Sequence, residues 1–239
     1  MTPTSSPRWS SFFAAFALLA FCALGLPGNA VETEAGAGKE DGLAQLVRQW
    51  AYDSQPGLRG KGVRFAIEPY AVPGLKEAFD LDLLMVRFLS GEEGQQFNEA
   101  ILIHREGTLT TFASAFGGFG LMSAVVNEGS LYYSYSFGSG IHRTHVGVLS
   151  KNEEGKLELR ESGAYFSEDL FVRAKDGDIV VESGQYVKFN QWKAAKPFGT
   201  VKLAAATFTI VDATGKERPG EGAPHQEGVA EAFTPAADR

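Results

Sequence analysis

The chain has 239 residues, 22 of them basic and 29 acidic, for a net charge of −7. Arg8 is the one charge in the first thirty residues, so a chain cut after Ala30 keeps 21 basic and 29 acidic residues and a charge of −8. That balance argues against nucleic acid or anionic membrane as a partner, because both are bound through a basic footprint. The roughly 209 residues that follow suffice for one well-cored domain.

Residues 12–26 form an apolar run of about fifteen residues, ended by Pro27. The run suits the h-region of a secretory signal and is short for a membrane span of roughly 20 residues. Gly28 and Ala30 complete a small-x-small cleavage site, and Phe21 before Cys22 disfavours a lipoprotein. The reading is a signal peptide over residues 1–30, preferred to an uncleaved anchor. Cys22, the single cysteine, leaves with it, so the exported chain has no disulfide, no thiolate metal site and no cysteine nucleophile. A cysteine-free exported chain points to a bacterial periplasmic or secreted protein with no stable membrane span after cleavage.

Residues 31–40 are rich in Glu, Ala and Gly and read as a flexible leader. A short helix follows, because Leu43, Leu46, Val47 and Trp50 recur at helical spacing up to Gln55-Pro56-Gly57. From Gly62 the period becomes two, with Val63, Phe65 and Ile67 alternating with Arg64, Ala66 and Glu68. Strands are expected over 83–89, 97–105, 109–116, 121–126, 131–137, 141–149, 157–161, 170–174, 179–182, 186–189 and 201–211. Glu106-Gly107, Glu128-Gly129, Glu154-Gly155 and Asp176-Gly177 each precede an apolar strand start, as tight hairpin turns do. The fold class is therefore all-β: an antiparallel meander of glycine-turn hairpins over residues 41–212. It closes as a sandwich, a barrel or a propeller-like sheet, with one short N-terminal helix. Their interval of 22 to 26 residues fits either a duplicated unit or the ordinary rhythm of a meander. Residues 213–239 hold too few apolar side chains to offset chain ordering and read as a disordered tail.

Four histidines are present. His142 and His145 are three apart on an expected strand, which turns them to opposite faces and spoils a two-histidine metal site. No metal or cofactor is expected. One of the two, joined by a carboxylate from a neighbouring strand, is the candidate catalytic group, with Arg143 beside them and His104 on another expected strand as further candidates. His225 falls in the tail. Ser139 lies between glycines at the wrong spacing for a nucleophile elbow, and Gly117, Gly118 and Gly120 lack a following helix to cradle phosphate. Acid pairs sit mostly in turns, and Asp176-Gly177-Asp178 is too short for a calcium loop. Tyr132, Tyr133 and Tyr135 are the candidate binding residues. A tyrosine row is first of all core, and second a flat amphipathic platform for a ligand. An outer-membrane barrel fits poorly, since residues 112–126 are apolar and glycine-rich on both faces. The expected function is non-catalytic binding of a small molecule, a glycan or an envelope protein. The alternative is a secreted hydrolase or lyase using His142 or His145 with a carboxylate.

Overall fold

The structure is a computed structural model that describes residues 31–33, 42–91, 93–115, 120–137, 142–204 and 207–222. The signal segment, Cys22, most of the leader, Gly117, Gly118, Ser139 and His225 lie outside these residues.

The described chain forms three antiparallel sheets. The first contains β1 (Val31–Thr33), β2 (Arg64–Tyr70), β3 (Asp82–Ser90), β4 (Gln95–Arg105) and β5 (Thr108–Ala115) in sequence order. The second holds β6 (Leu121–Asn127), β7 (Ser130–Phe137) and β8 (Arg143–Lys151). The far edge of β8 is shared by β9 (Leu157–Glu161) and β10 (Tyr165–Phe166). The third is the meander β11 (Leu170–Lys175), β12 (Asp178–Lys188), β13 (Gln191–Ala204) and β14 (Thr207–Val211). Helix α1 (Gly42–Ser54) and the one-turn α2 (Leu75–Phe79) are the α-helices among the described residues.

Strand alternation sorts the core into three slabs. Phe65, Ile67, Leu84, Val86, Phe88 and Leu102 face Val47 and Ala51 of α1. The opposite face of the same sheet sends Leu83, Ile101, Ile103 and Phe112 against Leu121, Leu131, Tyr133 and Leu149 of the second sheet, with Leu75 and Phe79 of α2 closing one side. The second sheet's other face, with Tyr132, Val146 and Val148, packs on Leu170, Val172, Val181 and Ile210 of the third. The order is therefore helix, sheet, sheet, sheet: a sandwich extended by one layer. Each large apolar side chain buried this way contributes about 1.5–3 kcal/mol.

The acidic-residue–glycine pairs are turns. Glu106 and Gly107 both have positive φ, at 49° and 73°, and so do Glu128 with Gly129 and Asp176 with Gly177. Two consecutive residues of this kind match the right-handed twist of the strands they join. At Glu154-Gly155 only the glycine is left-handed, with φ 77°. There the Asn152 side chain accepts from the Glu154 and Lys156 amides instead. The four turns are distributed over all three sheets.

Segment 201–211, read as one strand, is divided between the end of β13 and β14, which pair antiparallel, and three further features differ from the sequence reading. Val31–Thr33, placed in the leader, pairs with Phe65–Ile67 of β2. Segments 179–182 and 186–189, read as two strands, form the single strand β12 with three register shifts. Residues 213–222, placed in the tail, fold back over the sandwich. Ala164 and Glu221 exchange backbone hydrogen bonds, and Gly163 and Gly220 approach so closely that a Cβ on Gly220 would lie 2.2 Å from the Gly163 carbonyl oxygen.

A candidate binding cleft

The candidate catalytic residues do not converge. His145 is 3% exposed; its ring lies near-parallel to those of Tyr135 and Phe137, at 5.2 and 5.4 Å. Its Nδ1 lies 3.3 Å from the Ser162 carbonyl. His142 turns the other way, with Nδ1 3.1 Å from Asp169 Oδ1 at the approach to β11. Arg143 is exposed, with its guanidinium 5.3 Å from the centre of the Phe166 ring. His104 stands on another sheet, opposite Asp82 and Leu109 in the ladder.

The three tyrosines are core. Tyr133 and Tyr135 are sealed between the first and second sheets, and Tyr132 between the second and third. The Tyr133 hydroxyl donates to the buried carboxylate of Glu161. Burial and that carboxylate hold the phenol well above its ordinary pKa. Gly147 makes the pair possible, since a Cβ there would lie 2.4 Å from the Tyr133 hydroxyl.

The side chains that gather around open space are different ones. On β2, β3 and β4, the face that packs inward over most of its length becomes polar at one end. Glu68, Arg87 and Glu99 occupy that end, together with Tyr70 and Met85. Arg87 is the register partner of Glu99 across β3 and β4. Its Nη1 donates to Glu68 Oε1 at 2.7 Å, a strong charge-assisted bond. Its Nε is 3.9 Å from Glu99 Oε2, which Gln96 Nε2 approaches at 3.4 Å. Glu99 is thus a mostly buried carboxylate, its side chain 13% exposed, whose contacts to Arg87 and Gln96 are long. Burial, the largest cause, raises its pKa, while Arg87 and then Gln96 act to lower it. Gly120 lies beside it, where any Cβ would come 2.1 Å from Glu99 Oε1.

The other wall comes from the third sheet. The β12–β13 turn reaches past the edge of β6 and brings Tyr186, Lys188, Phe189 and Gln191 over the polar cluster. Phe189 packs on Tyr70 with ring centroids 4.4 Å apart. Asn190 anchors the turn. Its amide donates to the Met122 carbonyl, and its side chain both accepts from the Ala124 amide and donates to the Ala124 carbonyl. At the base of the same hairpin Glu182 accepts from Arg173 and Trp192, and the Trp192 ring stacks on Phe171 at 4.8 Å. Burial raises the Tyr70 and Tyr186 phenols above their ordinary pKa, so both stay protonated donors near neutral pH.

The open cleft has a volume of about 610 Å³, within the range of small-molecule sites of roughly 300–1,000 Å³. Three further concavities, of about 360, 170 and 780 Å³, adjoin Arg218. Arg218 anchors the C-terminal segment, with its guanidinium 3.8 Å over the Phe198 ring and Nη1 donating to the Phe198 carbonyl. Among the described residues no group of three or more His, Cys, Asp or Glu could hold a metal ion, and no helix is long and apolar enough to cross a membrane.

Sequence reasoning missed the cleft. One signal was present: Arg87 interrupts the apolar run 83–89, and a charge inside such a strand needs a partner or an opening. Comparisons with protein-family models, curated proteins and solved structures return no match. Fold and site thus define a class only: an antiparallel β-sandwich carrying a cleft of small-molecule size.

Proposed function

We propose that this protein is exported and binds a small polar molecule in the cleft between the first sheet and the β12–β13 turn. The observation that carries the reading is Glu99, a mostly buried carboxylate held 3.9 Å from Arg87 while Arg87 bonds Glu68, in an open space walled by Tyr70, Tyr186 and Phe189. Buried charges placed for stability are closely paired, because desolvation is costly. A buried carboxylate with long contacts beside an aromatic wall is arranged for an incoming donor. The test is a thermal-shift screen with sugars, amino acids, polyamines and organic acids. A hit is expected to lose its shift in Arg87→Met and to keep it in His142→Ala. Hits indifferent to Arg87 would contradict the cleft. For export, the protein recovered outside the cytoplasm is expected to begin at Val31, as read by intact mass.

A second reading has one observation in its favour. The His142–Asp169 contact has the geometry of a histidine oriented by a carboxylate, as in general acid–base hydrolysis or elimination. It predicts turnover of chromogenic ester or glycoside substrates that His142→Ala abolishes and Arg87→Met spares.

A further inference from the structure

We infer that the ligand of the cleft is a saccharide, an uncharged ring bearing neighbouring hydroxyls. This rests on the cleft being a binding site and concerns what the site recognises. The formal charges lining it cancel, with Glu68 and Glu99 against Arg87 and Lys188. A charged ligand would leave water without a net opposite field to receive it. What the cleft offers instead is acceptors and donors side by side. The Glu99 carboxylate accepts, and Arg87, Lys188 and Gln191 donate. Arg87 and Glu99 are register partners on neighbouring strands, so a donor requirement and an acceptor requirement fall next to each other. A hydroxyl both donates and accepts, and two adjacent hydroxyls on a ring satisfy such a pair from one ligand. The carbon-bound hydrogens of the ring need an apolar wall, which Tyr186 and Phe189 supply while keeping a phenol within reach. An ammonium ligand would want the carboxylates without Lys188, and a phosphate or carboxylate would want the cations without Glu99.

The experiment is ligand-observed saturation-transfer NMR on the whole protein, followed by calorimetry of each hit. The probes are glucose, galactose, mannose, N-acetylglucosamine, maltose, cellobiose and chitobiose, against choline and spermidine as cations and phosphate and citrate as anions. A neutral sugar is expected to bind with affinity constant within about 2-fold between about 50 and 500 mM salt, since no net charge is screened. Glu99→Gln, which keeps an acceptor, is expected to weaken it by less than about 10-fold, and Arg87→Met and Tyr186→Ala by more than about 10-fold. Tyr186 lies near the hairpin tip, so its variant tests the wall even if Arg87→Met fails to fold. If only spermidine and choline, or only phosphate and citrate, bind in a way that Arg87→Met or Glu99→Gln abolishes, the saccharide is wrong and the cleft stands. A sugar whose affinity falls steeply with salt overturns the saccharide reading in the same way. If no probe responds to any cleft variant, both readings fail.

Discussion

Two sets of charged and phenolic groups lie against the inner faces of the first two sheets, and they are built in opposite ways. Tyr133 and Glu161 are sealed and closely matched, with Gly147 omitting a side chain to admit them. Glu68, Arg87 and Glu99 are partly open, and Glu99 meets its cation only at 3.9 Å. Close matching is what a buried polar pair needs to be tolerated in a core. Loose matching beside an open volume costs stability and leaves valence for something else. The same sandwich thus separates a polar pair sealed in the core from a cluster set beside open space, the arrangement on which the proposed binding function rests.

The largest expected effect breaks the sealed pair. Gly147→Ala would place a Cβ 2.4 Å from the Tyr133 hydroxyl and 2.8 Å from Glu161 Cγ. Overpacking of this kind is expected to lower the unfolding free energy by about 3 kcal/mol in urea titrations. Tyr133→Phe keeps the ring and strips Glu161 of that donor, for an expected loss of about 2 kcal/mol. A loss under about 0.5 kcal/mol would mean the pair is not a structural element.

The hairpin that roofs the cleft is anchored through Asn190. Asn190→Ala removes both side-chain bonds to Ala124 and is expected to cost about 1–2 kcal/mol. Faster hydrogen exchange at the Ala124 amide, with little change in β4, would localise the loss to the hairpin contact.

The smallest effect has the opposite sign. Glu99 has a raised pKa in the folded chain because burial disfavours its charge. Its ionisation therefore opposes folding above the unfolded carboxylate pKa, and the penalty is relieved as pH falls through the folded value. Glu99→Gln is expected to match or exceed the wild type by up to about 1 kcal/mol at neutral pH, the difference shrinking as the solution is acidified. A variant clearly less stable at neutral pH would place Glu99 with Glu161 as a fold-serving acid.

The strands of the first two sheets were legible because each buries one face at a time, so Leu83 and Ile101 alternate with Leu84 and Leu102 of the other slab. The tyrosine row read first as core, and its burial follows from that alternation. The β12–β13 arm was illegible for the converse reason. Residues 191–197, Gln-Trp-Lys-Ala-Ala-Lys-Pro, are almost all exposed and carry no two-residue apolar rhythm, so only pairing with β12 makes them a strand. Helix α2 has five residues, too few for a periodic signal. The cleft was hidden for a different reason. Glu68, Arg87 and Glu99 stand on three strands, and ladder register brings them together. Glu68 belongs to the polar half of an amphipathic strand, and that half faces away from α1, toward the second sheet's side.

The most direct measurement is the unfolding free energy of the triple variant Glu68→Gln, Arg87→Met, Glu99→Gln at neutral pH. If the cluster is kept for a ligand, the neutral isosteres are expected to leave stability within about 1 kcal/mol of the wild type or raise it. A loss of more than about 3 kcal/mol would show that the cluster holds the fold together, and would contradict the assignment of the cleft as a binding site.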